Sequence, residues 1–403
     1  MNILIVTHLA PFPQNSGYPI VVGNTIRGLV DTGHQVSLCS LDPHPHKDHE
    51  DHTDELISRI KYQRHTIDTS ISATQAFLSL FNGKLYTIDR YYDSQIEHAL
   101  IKEVAAGNYD IIQFEGLYVT PYLAAVRKST KAKVIYRAHH IEYLVWERLA
   151  KQKNDPAKKF YLNLIAKRIR LYETKQFDLF DAVAVFTDQD KECIKGHCNK
   201  QLSVEILPVG LDLERYRPDH KRTEFPSLFF LGAMDWMPNR EGIEWFLENF
   251  SNELVNGDLR TRFYVAGNDI PERFDDYEVV GKIFIHGEVD DALEFVNSKA
   301  IMIVPLLSGG GMRVKIVEGM AMQKCIISTS LGAEGINYSN GENILIANTP
   351  QEFHRAIKRC ITDENYCRRI GRNARALVEE QHETHKISQR LADFYQRTLL
   401  AGS

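Results

Sequence analysis

A chain of 403 residues exceeds the ~250–300 residues at which a single core usually stops growing, so two domains are expected. Its 43% hydrophobic, 10% aromatic and 25% charged content excludes a disordered, collagen-like or low-complexity chain. The 48 basic and 53 acidic side chains leave a net charge of -5, which excludes a global positive field for nucleic acid or an anionic bilayer; any such contact has to be local. Cys39, Cys193, Cys198, Cys325, Cys360 and Cys367 form no CxxC pair, and a reducing cytoplasm is the plain reading. The amino terminus lacks the pattern of a signal peptide, and the apolar runs are too short to span a bilayer.

Residues 2–7 form a short β-branched apolar run, the pattern of a strand buried on both faces of a parallel sheet. A loop with Pro11, Pro13 and Gly17 follows, then helical spacing over 20–30 and a second strand over 35–40. Further buried strands are predicted at 111–114, 134–137, 182–186 and 204–207, so the first two hundred residues read as doubly wound α/β. Residues 208–225 break the period with Pro, Gly and charge and read as a linker between domains 1–207 and 226–380. Strands are predicted again at 227–231, 262–266, 282–286, 301–304 and 325–328. The tail ends in an amphipathic helix over 381–403 that could return to the first domain.

The segment 305–329 reads as strand end, glycine loop, helix and next strand. Gly309, Gly310 and Gly311 ahead of a helix leave backbone N–H groups open, where the helix dipole favours an anion such as phosphate. Arg313 and Lys315 in the first turn could reach a diphosphate, and Glu318 one turn on could accept from a ribose; a plain glycine turn with solvated charges is the alternative. The loop from Gly232 to Gly242 follows the first strand of the second domain. Trp236 and Arg240 could line the same crevice there, or Trp236 could pack in the core with Asn239 as a helix cap. In the first domain His139 and His140 follow a strand, with Glu142 close behind, and Ser16 and Gly17 lie at the same edge. Adjacent side chains diverge, so a single histidine making a polar contact is a better reading than a metal pair.

The histidine-rich run 42–52 reads as a solvated loop. Asp275 and Asp276 read as a polar loop and Asp290 as a helix cap, so no metal site is assigned. Residues 157–175 interleave Lys158, Lys159, Lys167, Arg168 and Arg170 with large apolar residues. Such a helix can lie on an anionic membrane surface, although a surface helix of a soluble fold is commoner.

These residues together resemble the family 4, or group 1, glycosyltransferases, whose GT-B fold sets two Rossmann-like domains across a cleft. The resemblance spans nearly the whole chain. It rests on Ser16 and Gly17, on residues 109–114, 137–142, 207–212 and 232–239, and most specifically on 309–321. Family members carry two motif glutamates. Glu318 matches the second, implying ribose recognition, whereas Gly310 stands in place of the first. The resemblance implies a phosphate clamp at Arg313 and Lys315 and a donor-sugar contact at His139, while the arginine that often follows the glycine at 232 is Ala233 here. Gly232, Arg240 and Gly309 to Gly311 would border the donor.

What the resemblance implies is a retaining, metal-independent hexosyltransferase that uses a nucleotide diphosphate-sugar as substrate and needs no cofactor. Its acceptor would be a hydroxyl of a glycan or lipid-linked chain in polysaccharide, glycolipid or cell-envelope glycan synthesis, with 76–92 as the candidate acceptor wall. The setting is cytoplasmic, with attachment to the inner face of the plasma membrane through 157–175 left open. No nucleic-acid partner is expected. Two rivals bind the same donor: an epimerase or hydrolase that consumes it without an acceptor, and a non-catalytic binding partner, to which Gly310 points.

Overall fold

The computed structural model describes residues 1–14, 16–43, 54–70, 72, 74, 79, 85–198 and 201–401. Most of the histidine-rich run and much of the acceptor wall, 76–78 and 80–84, lie outside the described residues. The chain divides into two compact units: 1–147 with 155–210 and 385–403, and 148–154 with 211–384.

The first unit holds seven parallel strands: β1 (Asn2–Thr7), β2 (Gln35–Asp42), β3 (Lys61–Thr66), β4 (Ile111–Glu115), β5 (Lys133–Ala138), β6 (Ala182–Val185) and β7 (Ser203–Ile206). Their order in the sheet is β3-β2-β1-β4-β5-β6-β7. The central strands are buried along almost their whole length, which is why they read as unbroken apolar runs rather than alternating ones. Each fully buried Leu, Ile, Val or Phe contributes about 1.5–3 kcal/mol of transfer free energy, so these runs hold the sheet between its two helix layers. The polar strand β3 escaped the sequence reading because Lys61, Tyr62, Gln63, Arg64, His65 and Thr66 carry no apolar run; pairing with β2 alone places it at the sheet edge.

The second unit repeats the plan with β8 (Ser227–Leu231), β9 (Arg262–Ala266), β10 (Ile283–Gly287), β11 (Ile301–Val304), β12 (Cys325–Ser328) and β13 (Leu345–Ile346), in the order β10-β9-β8-β11-β12-β13. Two-residue β13 is too short to leave a signature. In both sheets the strand order reverses beside the first strand, at β1/β4 and at β8/β11. A crevice forms outside the carboxyl ends of the strands at such a point.

The last helix, Thr384–Leu400, returns to the first unit. Its Leu391, Phe394 and Tyr395 join Ile3, Ile5, Leu38 and Ile135 in one core, and the Tyr395 hydroxyl donates to Gln113 Oε1 at 2.5 Å. Two local expectations need correction. Asp291, not Asp290, caps the helix Ala292–Asn297, accepting from the N–H groups of Leu293 and Glu294. Asn239 is not a cap either: the helix begins earlier, as Met237–Val255 with Trp236 at the cap position, because Pro238 is well tolerated in a first turn.

Candidate functional site

Each unit carries a polar cluster at the point where its strand order reverses. In the second unit Gly232 follows the end of β8, and β11 leads into the glycine loop. Gly309 and Gly311 take φ of 109° and 74°, a backbone that side chains resist, and the loop thereby reaches the helix Val314–Ala321 with its N–H groups open. Arg313 occupies the cap position and its own side chain makes no capping hydrogen bond. Its guanidinium, largely buried, donates to the Gly310 carbonyl and stacks 5.0 Å from the Trp236 ring centre. A Cβ added at Gly309 would come within 2.7 Å of Arg313 Nη2 and 3.1 Å of Trp236, so glycine is required where loop, guanidinium and indole close up.

Lys315 turns the other way, to β8. Its ammonium donates to Asn239 Oδ1 at 2.8 Å and lies 4.2 Å from the Phe230 ring centre, and a Cβ on Gly232 would fall 2.3 Å from it. Asn239 in turn donates to the Ala233 carbonyl at 2.7 Å, so it holds the ammonium rather than the helix end. Burial and the neighbouring Arg313 charge push the Lys315 ammonium down to about 7. Two basic side chains are thus anchored on different neighbours beside one helix end, and their like charges cost stability when both are charged and no anion is bound. Glu318 accepts from the Tyr216 hydroxyl at 2.7 Å through Oε1, and burial raises its carboxyl despite Tyr216, Arg215 and Lys315.

Arg148, which belongs to this unit, grips the loop from outside. It forms a two-pronged pair with Glu334, both bonds at 2.8 Å, and donates to the Gly309 carbonyl at 2.6 Å. The sequence reading missed Arg148 and Tyr216, which are far from the loop along the chain. Arg240 sits one residue beyond Asn239, and among the described residues it makes no hydrogen bond or ion pair with the loop. The acidic group Glu253, Asp258 and His354 has metal-ligand spacing, but Asp258 already carries the Lys358 ammonium.

In the first unit the cluster grows from the ends of three adjacent strands. Thr7 of β1, Glu115 of β4 and Arg137 of β5 stand in register, so their neighbours converge. Glu115, fully buried, accepts from His139 Nε2 at 2.7 Å and from Gln113 Nε2 at 2.5 Å, with the buried Arg137 guanidinium 3.7 Å away. Burial would raise its carboxyl, but Arg137 and His139 overcome this and hold it below the usual range. His139 itself titrates lower than usual, because burial outweighs its bond to Glu115.

Ser16 and Gly17 open the helix Gly17–Asp31. Ser16 is extended at the cap position, and its side chain makes no capping hydrogen bond among the described residues. Tyr18 ties it to the cluster: its ring lies 4.6 Å from His139 and 4.3 Å from His8, and its hydroxyl donates to the Glu115 carbonyl at 3.0 Å. His140 takes a separate partner, Glu142 Oε2 at 2.6 Å. Although burial works to lower it, that carboxylate leaves it raised. Glu142 also accepts from Tyr118 and Trp146, at 2.7 and 2.9 Å, and despite its burial these bonds and His140 bring it down to about 2. The two histidines thus serve different carboxylates, as divergent neighbours must. Glu115, His8 and Tyr18 went unread; a carboxylate at the carboxyl end of an otherwise apolar strand was the available signal for the first.

Of the candidate acceptor wall, Tyr91 is buried against Tyr118, with ring centres 4.7 Å apart, whereas Tyr92 is exposed and bonds Glu97. No described helix is long and apolar enough to cross a membrane.

With this geometry in hand, comparison with known proteins gives a consistent answer. Residues 225–363 match the family described as "Glycosyl transferases group 1". A Klebsiella pneumoniae protein described as an uncharacterized 44.6 kDa protein in the cps region is 22% identical over 96% of this chain and 97% of its own. Sucrose-phosphate synthase from Thermosynechococcus elongatus superposes with a TM-score of 0.75 at 15% identity, covering 100% of both chains. Anabaena Alr3699/HepE, solved with UDP-glucose, gives 0.66 at 12% identity over 98% of this chain and 99% of that one. The second unit thus matches the group 1 glycosyltransferases over residues 225–363, and the whole chain shares the GT-B fold of these solved structures.

Proposed function

We propose that the protein transfers a hexose, with retention of configuration, from a nucleoside diphosphate sugar to a hydroxyl of a growing cell-surface polysaccharide. The observation that carries this reading is the amino end of the helix Val314–Ala321, with Arg313 and Lys315 held beside it. That the solved relative HepE binds UDP-glucose, and that a full-length relative is named for a cps region, support the donor and the product class.

The chemistry asks for stabilisation of a diphosphate leaving group while positive charge develops at the sugar's anomeric carbon. Open N–H groups at Gly309 to Gly311, Arg313 and Lys315 supply fixed positive charge to the departing oxygens, with no reorganisation at the moment of bond breaking. Glu318 keeps Oε1 on Tyr216 and offers Oε2 to a ribose hydroxyl. Gly232 leaves room for the ammonium of Lys315, and Arg240 borders the donor from the helix Met237–Val255. In the first unit His139, fixed by Glu115 and Tyr18, contacts the sugar, and the helix end at Ser16 and Gly17 receives an oxygen of the donor. The leaving phosphate oxygen takes the acceptor proton, so no side-chain base is needed.

Incubation with donor alone and with donor plus acceptor glycan separates the readings. Transfer predicts a new glycoside of the donor's anomeric configuration only when acceptor is present. Consumption of donor alone, or binding without turnover, would support an epimerase or hydrolase, or a non-catalytic partner, instead.

Lys315 gives the binding step a pH dependence. Below about 7 the ammonium is charged in the empty protein; above it the amine is neutral and a diphosphate must draw in a proton to bind. Affinity for a nucleoside diphosphate is therefore expected to fall from pH 7 to 9, by up to about tenfold per pH unit. Titration calorimetry in buffers of different ionisation enthalpy should register proton uptake at pH 8. Lys315→Arg should flatten the profile; an unaltered slope in that variant would assign the proton elsewhere.

A further inference from the structure

We propose that the outer face of the helix Pro156–Phe177 docks the protein on an anionic lipid bilayer surface. The inner face of this helix is accounted for: Leu162, Ile165, Ala166, Ile169 and Phe177 are buried, and Ile165, Ile169 and Phe177 belong to the core of the first unit. A surface helix of a soluble domain needs no second apolar face, yet this one has it. Phe160 is 72% exposed and Leu171 56%, and the two lie about three turns apart along one line. Tyr161 is exposed beside Phe160. Three of the seven exposed large hydrophobic side chains among the described residues sit on this one helix, so they form a face rather than scattered singles.

The charge around that face selects the occupant. Lys158, Lys159, Lys167, Arg168, Arg170 and Lys175 all lie on this helix, and its one acid, Glu173, is buried, where it accepts from the backbone N–H groups of Glu142 and Tyr143. Lys167 falls between Phe160 and Leu171 on the same line, and Arg168 and Arg170 flank it. Apolar side chains bordered by long cations suit the interface between lipid headgroups and acyl chains, where the cations reach phosphates and the apolar groups enter beneath them. A second copy of the chain does not suit it, because a two-fold contact would set the same cations against themselves. Since the whole chain carries a net charge of -5, the rest of the molecule is repelled by an anionic surface, so the field also turns this helix toward it.

Docking is independent of the sugar-transfer reading, and the test keeps them apart. The full chain is sedimented with vesicles of phosphatidylcholine alone and of phosphatidylcholine with phosphatidylglycerol. Wild type is expected to bind the mixed vesicles, release as salt rises, and leave the neutral ones. Phe160→Ser with Leu171→Ser should weaken binding about tenfold or more, and Lys158→Glu with Lys159→Glu and Lys167→Glu should abolish it. All these positions are exposed, so circular dichroism and the melting shift with nucleoside diphosphate should not change. Equal binding to both vesicle types, or no binding to the mixed vesicles at low salt, overturns the proposal. So does unaltered binding by either variant, or dimerisation through this face in place of vesicle binding.

Discussion

Wild-type protein should melt at a higher temperature when a nucleoside diphosphate is added, and Arg313→Ala with Lys315→Ala should abolish that shift. A ligand at about a hundred times its dissociation constant adds about 2.7 kcal/mol to the folded state, which a thermal scan resolves readily. The two side chains supply the formal positive charge beside the helix end, and each is fixed by a neighbour: Arg313 by the Gly310 carbonyl and Trp236, Lys315 by Asn239. Their loss leaves only the helix dipole and backbone amides, worth about 1–2 kcal/mol to an anion in favourable geometry. Relief of the like-charge crowding offsets only part of the packing lost with the Arg313 guanidinium, so the shift of the double variant is read against its own ligand-free melting temperature. Retention of the full shift would remove the basis of the diphosphate clamp.

The second large effect lies in stability. Glu115→Ala is expected to destabilise the protein by about 3–5 kcal/mol, because it strands the Arg137 guanidinium, 1% exposed, without its carboxylate. His139 and Gln113 would lose their acceptor as well. Urea denaturation measures this. Replacing both charges, Glu115→Leu with Arg137→Met, should recover most of the loss, since an apolar pair of similar volume leaves no buried charge. A single-variant cost below about 1 kcal/mol would mean that the pair is already solvated. The same pair gives acid sensitivity. With the Glu115 carboxyl held below its unfolded value, its stabilisation is present above that value and is lost as pH falls through the folded one.

Much of the fold was legible. Eleven of the thirteen strands among the described residues announce themselves as largely apolar runs, most plainly the central ones, since a strand covered on both faces needs nothing else. The two that did not are polar β3 and two-residue β13. The glycine loop was equally readable, because three glycines before a helix are a local pattern. Helix starts were less so: Asp290 and Asp291 are both acceptable caps, and only the backbone path selects the second.

The candidate site was half legible. His139, Arg313, Lys315 and Glu318 stood out by their place after a strand or in a first helical turn. Their partners did not. Glu115 reads as the polar end of a strand, Tyr18 and His8 as loop residues, Asn239 as a cap, and Tyr216 as part of a linker. Each acquires its role from a residue distant along the chain, such as Tyr216 from Glu318 and Arg148 from Gly309.

The sequence by itself determined two tandem parallel α/β sheets and a glycine loop leading into a helix, because periodicity and glycine content act over a few neighbouring residues. Only the tertiary structure decided that β1 lies beside β4 and β8 beside β11, and hence which polar side chains meet at the strand ends. The physical reason is that strand order and buried polar pairing are set by contacts across long stretches of chain. A charged residue taken alone looks the same whether water or a buried partner will satisfy it.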